Sequence, residues 1–158
     1  MKKQVAMIGL LVVMTMIAAG TSASAQSLHY KMTANIPFEF SVANKKLPAG
    51  EYSVTRAQQT AGDLVLQISS KDGRESISRL TIAVNTLEPK DDARLIFHRY
   101  GDEYFLYEIW PAGGSTGREL PKSRAERDAE QKFRDSVVGM ANVKAPQAEI
   151  VTIVANLR

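Results

Sequence analysis

His29 and His98 are the two side chains best suited to acid–base or metal chemistry in this chain, which has no cysteine. Their spacing does not match H-x-x-x-H or another metal-binding pattern, so we expect no metal site. The sequence also lacks the G-x-S-x-G motif with which many serine hydrolases expose their nucleophile. We therefore expect no catalytic residue, metal or cofactor, and we interpret His98 as a packed or surface imidazole without a functional role.

Two other segments have compositions that occur in binding loops. Glu88, Asp91 and Asp92 lack the regular spacing of oxygen ligands in a calcium loop, so a solvated turn explains them better. The segment Gly113–Arg118 is rich in glycine, but it has no Lys-Ser/Thr ending and does not lead directly into a helix. We expect residues 111–118 to form a mobile surface loop. Carboxylates from distant strands could still form a glycosidase pair, so a hydrolase of envelope polymer remains an alternative.

Aromatic side chains are concentrated between residues 100 and 110, at Tyr100, Tyr104, Phe105, Tyr107 and Trp110. Such a group can form the floor of a groove for a glycan, a peptide or an apolar small molecule. Core packing is the other explanation for most of these rings. We predict Tyr100, Tyr104 and Trp110 as ligand-binding residues, because they lie nearest to the ends of a predicted hairpin.

The first 25 residues have the composition of a signal peptide. Lys2 and Lys3 precede an apolar stretch over Val5–Ala19, and Ala23-Ser24-Ala25 offers the small side chains that a signal peptidase requires. A retained membrane anchor is the alternative, but it normally needs about twenty apolar residues. We predict cleavage before Gln26 and export to the periplasm or the exterior.

Residues 26–158 are long enough for one domain. Removal of Lys2 and Lys3 lowers the number of basic residues from twenty to eighteen, against seventeen acidic residues. This balance predicts no strong attraction to nucleic acid or to anionic membranes, and no later segment is apolar for long enough to span a bilayer. Without cysteine there can be no disulfide, so packing must stabilise the domain.

The beginning of the exported chain alternates between apolar and polar residues. An alternation of this kind places the apolar side chains on one side of an extended strand. The apolar positions are Leu28, Tyr30, Met32, Ala34, Ile36, Phe38, Phe40 and Val42. Pro37 cannot donate a ladder hydrogen bond, so we predict two strands, over 28–34 and 36–42, followed by a polar turn at 44–46. Further strands are predicted at 51–57, 64–70, 76–86 with a bulge near Ser78-Arg79, 93–100, 103–110 and 149–155, the last as a buried closing strand.

The strands 93–100 and 103–110 form the clearest predicted hairpin. A two-residue loop at Gly101-Asp102 would set Arg99 opposite Tyr104, His98 opposite Phe105 and Phe97 opposite Leu106. One face then carries Leu95, Phe97, Tyr104, Leu106 and Trp110, and the other carries Ile96, Tyr100, Phe105, Tyr107 and Ile109. Because both faces are apolar, we expect this hairpin to be central in the fold, covered by a helix, or in contact with a ligand or partner.

A helix is predicted over residues 123–135. Ser123 and Glu126 match a capping box at its start. Ala125, Ala129 and Phe133 recur every four residues and predict a narrow apolar stripe. The predicted fold is therefore mainly β: a single antiparallel β-sandwich or partly closed β-barrel with one α-helix near its C-terminal end.

Four segments resemble those of a family of short exported bacterial proteins without assigned function. They are IPFEF at 36–40, LPAGEY at 47–52, RYGDEYFL at 99–106 and ELPKSRAER at 119–127. The resemblance implies a shared fold and an envelope or extracellular location, and it implies no activity. The LPAGEY segment alone is also similar to turns in transthyretin-like and surface-adhesin β-sandwich modules.

These observations lead to one functional hypothesis with two alternatives. We expect an exported, non-enzymatic binding or scaffolding domain, whose partner is an envelope component, a glycan, a peptide or an apolar small molecule. The first alternative is a barrel-type carrier that holds a small apolar ligand in its interior. The second is the hydrolase of envelope polymer, which requires converging carboxylates or a Ser-His pair in a cleft.

Overall fold

The computed structural model describes residues 31–56, 64–138 and 147–157, and within them the chain forms eleven strands and one helix. The strands are β1 Met32–Ile36, β2 Phe40–Val42, β3 Lys45–Leu47, β4 Gly50–Arg56, β5 Val65–Ser70, β6 Ser76–Leu80, β7 Ile82–Lys90, β8 Ala93–Tyr100, β9 Glu103–Trp110, β10 Gly114–Glu119 and β11 Glu149–Leu157. The helix, α1, spans Arg124–Val138. The predicted signal peptide and the predicted strand residues 28–30 lie outside the described residues.

The strands form one curled, open sheet, so the protein is a mainly β half-barrel. The strand order is β3-β2-β9-β8-β11-β1-β4-β5-β6, and β10 joins this path by pairing with both β9 and β7. One edge of β9 is shared, because β2 pairs with it at Phe105 and β10 pairs with it at Ile109. The prediction of a mainly β fold, as a sandwich or partly closed barrel with one C-terminal helix, is confirmed.

A single residue, Thr81, joins the two ends of this sheet. It separates β6 from β7, although these strands lie at opposite ends of the strand order. Thr81 is buried, and both its backbone N–H and its hydroxyl donate to the carbonyl of Leu64, each at 2.7 Å. The predicted bulge near Ser78-Arg79 is wrong, because β6 pairs with β5 without a register shift. Ile77 is out of phase with Ile82 because the chain passes at Thr81 from one end of the sheet to the other.

The concave side of the sheet, which we call the inner face, is filled with apolar side chains. The predicted alternation of β1 and β2 is confirmed, since Met32, Ile36 and Val42 are fully buried there. The Phe40 ring meets the rings of Tyr52 and Phe97 edge to face, at centroid distances of 5.0 and 5.5 Å. Such close packing of interdigitated side chains is typical of a solid protein interior.

The turn before β4 is held by a side-chain hydrogen bond. The hydroxyl of Tyr52 donates to the carbonyl oxygen of Pro48 at 2.8 Å. A tyrosine that bonds back to the backbone a few residues upstream also fixes strand connections in β-sandwiches. This contact gives the LPAGEY segment a structural role, because it fixes the entry of the chain into β4 while the Tyr52 ring enters the core.

Two connections near the N-terminal end differ from the predictions. Residues 37–39 separate β1 from β2, so Pro37 does mark a bend, but the second strand begins later than predicted. The predicted polar turn at 44–46 is wrong, because Lys45–Leu47 forms β3. The actual turn is Ala43-Asn44, where the backbone of Ala43 has a φ of 56°.

The segment predicted as a loop contains strand β10. It pairs with β7 from Ile82 to Asn85 and with β9 at Glu108 and Ile109. A Cβ atom at Gly117 would lie 2.6 Å from Cδ2 of Trp110, so the indole occupies the space above this glycine. The prediction of a surface loop over 111–118 is wrong, because the glycine content reflects close packing against an aromatic ring rather than flexibility.

Strand β11 lies between β8 and β1 in the interior of the strand order. Its inner side carries Val151, Ile153 and Ala155, which pack in or against the core. Its convex side exposes Ile150, and Val154 is 62% exposed there. The prediction of a buried closing strand is therefore wrong for one face.

Candidate functional site

The β8–β9 hairpin positions the side chains of the candidate site. Its predicted register is confirmed at the turn, with His98 opposite Phe105 and Phe97 opposite Leu106. Further along, Ile96 lies opposite Glu108, so Tyr107 is an extra residue that forms a β-bulge. Beyond the bulge, the side chains of β9 point to the opposite faces of the sheet from those that strict alternation would give them.

This reversal corrects the predicted faces of the hairpin. Ile109 was expected on the face of His98, but it lies in the core on the inner face. Trp110 was expected on the face of Phe97, but it lies opposite Arg94 and so shares the convex side of the sheet, which we call the outer face. The aromatic residues of the hairpin on the outer face are Tyr100, Phe105, Tyr107 and Trp110, with His98 between them.

Helix α1 covers part of this outer face. Tyr100 and Phe105 form a small apolar cluster with Ala129 and Phe133 of the helix, and the Tyr100 and Phe133 rings lie 6.3 Å apart. The hairpin is thus covered by a helix, one of the three environments predicted for it. The side chains that cover the hairpin are therefore those of α1, and not those of a ligand or a partner.

The start of α1 has only the Ser123 half of the predicted capping box, because the Glu126 carboxylate contacts His98 instead of reaching back to the helix start. The buried stripe of the helix also differs from the prediction. The hydroxyl of Ser123 accepts a hydrogen bond from the backbone N–H of Glu126 at 3.1 Å. Ala125 was predicted to lie on the buried stripe but is exposed. The helix instead turns Glu126, Ala129 and Phe133 toward the sheet.

His98 and Glu126 form a buried pair beneath the helix. Nδ1 of His98 lies 2.8 Å from Oε1 of Glu126, and the two side chains are only 11% and 5% exposed. The ring of Tyr107 stacks on the imidazole at a centroid distance of 3.9 Å. Because a buried polar atom without a hydrogen-bond partner is unfavourable, this contact satisfies both Nδ1 of His98 and Oε1 of Glu126. Sequence reasoning missed the pair, and its only signal was an acidic residue three positions before Ala129.

A second polar contact joins Lys122, which precedes α1, to Glu130 in the second turn of the helix. Nζ of Lys122 lies 2.8 Å from Oε2 of Glu130, and this hydrogen bond lowers the pKa of the Glu130 carboxyl. Burial alone would lower the pKa of Lys122, but contacts with Glu130 and Tyr100 outweigh it, so that pKa is raised. The Tyr100 hydroxyl lies in the same cluster, and burial raises its pKa.

The three predicted ligand-binding residues lie in three separate environments. Tyr100 is buried beneath α1. Tyr104 lies on the opposite face, where its ring stacks on Phe38 at a centroid distance of 3.9 Å. Trp110 is buried at the far end of the hairpin, and its indole N–H donates to Glu108 at 2.7 Å. The fold does not bring the three rings together into one groove.

Tyr104 is the predicted residue that lines an open depression, which we call the hairpin notch. Its lining residues are Glu39, Phe40, Ser41, Lys46, Asp102, Glu103 and Tyr104. The notch has a cavity volume of about 40 Å³, far below the several hundred Å³ of a typical drug-sized ligand site. It suits a small polar group better than an enclosed apolar ligand.

The arrangement around His98 leaves little room for catalysis. The imidazole is flanked by Tyr107 on one ring face, and Glu126 of α1 contacts its Nδ1, so helix and strand enclose the pair. His29 lies outside the described residues. Across residues 31–56, 64–138 and 147–157, no three His, Cys, Asp or Glu side chains converge closely enough to hold a metal ion. Over the same residues, no helix has the length and apolar character needed to cross a membrane.

These features define a mainly β half-barrel with a solid inner face and a helix packed on its outer face. Comparisons of the chain with protein-family models, with curated proteins and with solved structures give no match.

Proposed function

We propose that this chain is an exported, non-enzymatic binding or scaffolding domain of the bacterial envelope or exterior, which acts through its exposed surface and not through its interior. The observation that carries this proposal is that large apolar side chains remain exposed outside the packed core. The inner face is filled, while Leu80, Ile82, Leu87, Ile150 and Val154 remain exposed. Where exposed large apolar side chains are neighbours, as Leu80 and Ile82 are on either side of Thr81, they are typical of interaction sites.

The filled interior argues against the carrier alternative. A carrier requires an apolar cavity of several hundred Å³ inside the barrel. Here Phe40, Tyr52 and Phe97 occupy the interior and contact one another edge to face. The hydrolase alternative is disfavoured for a different reason, because the His98–Glu126 pair lies beneath α1.

Of the three aromatic residues considered for ligand contact, the proposal gives this role to Tyr104. Its ring is half-buried and lines the hairpin notch beside Glu39 and Lys46, which are joined by an ion pair of 3.3 Å. Tyr100 is covered by α1 and Trp110 packs against Gly117, so neither buried ring is free to contact a ligand. A peptide or glycan could contact the Tyr104 ring together with these charged groups.

Export is tested with the full chain carrying a C-terminal tag in a bacterial host. We expect the tagged product outside the cytoplasm, with an intact mass that corresponds to a chain starting at Gln26. A matched variant, Leu11→Arg, interrupts the apolar stretch of the leader and should stay in the cytoplasm at full mass. Cytoplasmic retention of the unaltered chain at full mass would contradict the export part of the proposal.

Binding is tested on the exported product by thermal shift with peptidoglycan fragments, glycans, peptides and fatty acids. A ligand that prefers the folded state raises the melting temperature, and the stabilisation grows with the logarithm of the ligand concentration divided by Kd. We expect an envelope glycan or peptide to raise it, and Tyr104→Ala to reduce the shift. A shift with fatty acids alone would support the carrier, and release of soluble fragments from peptidoglycan would support the hydrolase.

A further inference from the structure

The edges of the curled sheet differ in how they are protected. Strand β3 has three residues and carries Lys45 and Lys46, a combination that discourages pairing with another strand. Strand β7 has nine residues and, within the described residues, pairs with β10 alone. No charged residue occurs from Leu80 to Leu87. The register with β10 shifts beyond Asn85, so Ile82–Asn85 is the regular part of this open edge.

Apolar side chains surround the start of the same edge. The two donated hydrogen bonds of Thr81 bring Leu64 to the joint between β6 and β7. Leu80 and Ile82 flank Thr81 and are 64% and 54% exposed, and Leu64 is exposed beside them. We call Leu64, Leu80, Ile82 and the open edge of β7 the seam surface.

We propose that the seam surface pairs with the seam surface of a second copy of this chain, with the two β7 edges antiparallel across a two-fold axis. A two-fold axis brings the same patch of both copies together, so the patch must be compatible with itself. An uncharged edge meets this condition, because no like charges face each other when its centre lies on the axis. On β3, in contrast, two neighbouring lysines would meet their own copies.

The overall charge also favours a second copy over a charged partner. The formal net charge is +3 for the full chain and falls by two without Lys2 and Lys3, so repulsion between two copies is weak. A strongly charged partner would find no complementary side chain on the seam surface. The pairing goes beyond the proposed binding function and does not depend on where the protein is located.

The size of the seam surface sets the expected strength of the dimer. Three partly exposed side chains and a short strand edge provide less than the roughly 1,000 Å² that a stable interface usually buries. The dimer should therefore be weak, and its population should rise with protein concentration.

Sedimentation of the full chain over a hundredfold range of concentration gives the first test. We expect a shift from monomer toward dimer, and we expect Ile82→Lys to abolish the shift, because two lysines would face each other near the axis. Val154→Lys is the matched control, since it places the same charge on an equally exposed side chain of a strand that is paired on both edges. A chain that stays monomeric, or a dimer that Ile82→Lys leaves unchanged, overturns the proposal.

A cysteine scan locates the axis, and the natural chain supplies a background without cysteine. In antiparallel pairing across a two-fold axis, only the residue on the axis faces its own copy, at a Cα separation that permits a disulfide. We expect one of Ile82→Cys, Ala83→Cys, Val84→Cys and Asn85→Cys to form covalent dimers under mild oxidation, well above Val154→Cys. Equal cross-linking of all five variants, or no cross-linking above that of Val154→Cys at any of the four edge positions, overturns the proposal. The proposal is also overturned if a β7 cysteine variant stays monomeric and forms a disulfide with a different, thiol-bearing protein added as a competitor.

Discussion

Ala43 combines an unfavourable backbone conformation with a long-range contact. Its φ of 56° is in the left-handed region, which a side chain with a Cβ atom occupies at a cost of about 1–2 kcal/mol. The adjacent Asn44 accepts a hydrogen bond through its side chain from the backbone N–H of Ala125, at 3.3 Å. The strained turn therefore directs a capping side chain to the start of α1, 81 residues further along the chain.

We expect Ala43→Gly to increase the free energy of unfolding by about 0.5–1 kcal/mol, because glycine adopts this φ without strain. Chemical denaturation measures the change. Ala49→Gly is the control, since Ala49 is exposed and its φ is not positive; that variant should lose stability through the greater freedom of the unfolded chain. Equal losses for both variants would show that the turn carries no strain.

Glu130 makes the stability of the helix contact depend on pH. Its folded-state pKa is lowered by the hydrogen bond from Lys122, so the unfolded chain binds the proton more readily. The contribution is present above the unfolded pKa of about 4.3 and is lost as the pH falls through the lower folded value. We expect Glu130→Gln to reduce stability by about 0.5–1 kcal/mol at neutral pH and to have no effect near pH 2. Denaturation at a series of pH values checks this; a difference that persists at pH 2 would contradict it.

The His98–Glu126 pair is expected to be more sensitive than the surface pairs of α1. Glu126→Ala leaves Nδ1 of the buried imidazole without its hydrogen-bond partner and should cost about 1–3 kcal/mol. Asp128→Ala is the control, because Asp128 forms an exposed 3.9 Å pair with Arg124 and should cost less than about 0.5 kcal/mol. Thermal or chemical denaturation of both variants makes the comparison, and similar losses would exclude a special role for the buried pair.

At the scale of the elements, the β8–β9 hairpin shows what an alternating pattern can and cannot predict. The turn at Gly101-Asp102 and the pairs next to it follow from the two-residue loop and are confirmed. The bulge at Tyr107 could not be predicted, because Ile109 and Trp110 are both apolar and either phase gives an apolar face. Only the packing of Ile109 into the core decides between them.

The buried face of α1 was missed for a similar reason. Ala125 and Glu126 are neighbours at the start of the helix, and hydrophobicity favours the alanine for the buried position. The carboxylate occupies that position because His98, 28 residues earlier in the chain, provides its partner. A contact between such distant residues is not encoded in the local pattern that predicts the helix.

Gly117 ties β10 to the rest of the sheet through the single tryptophan of the chain. A Cβ atom there would approach three atoms of the Trp110 ring at 2.6–2.8 Å. We expect Gly117→Ala to cost about 1–3 kcal/mol through overpacking and to shift the tryptophan fluorescence to the red as the indole moves toward water. Ser115→Ala, on an exposed position of the same strand, should change neither property. Unchanged fluorescence in Gly117→Ala would show that the ring has room to adjust.

At the scale of the whole molecule, the sequence predicted a β domain but left open whether it is a sandwich or a barrel. A two-residue period shows which side chains point inward, and it carries no information on how strongly the sheet curls. The joint at Thr81 is what brings the sheet ends together, and a single polar residue between two apolar strands gives no such signal. The curvature of the sheet is therefore determined by the complete set of strand pairings, which the local sequence pattern does not contain.

The filled interior leads to a prediction that separates surface binding from internal carriage. Phe97 is fully buried and contacts the rings of Phe38 and Phe40. Phe97→Ala should cost about 3–5 kcal/mol and leave an apolar cavity, because neighbouring side chains relax only in part. Such a cavity stays dry and accepts small apolar molecules, so benzene should raise the melting temperature of Phe97→Ala and leave that of the unaltered chain unchanged.

Tyr104→Ala is the matched control for this experiment, because it removes a ring that is only half-buried at the hairpin notch. Benzene should give no shift there, since the space left by the ring opens to water. A shift of the unaltered chain as large as that of Phe97→Ala would mean that the interior already accommodates a ligand. The inner face would then be the binding site, and the apolar side chains on the outer surface would need another explanation.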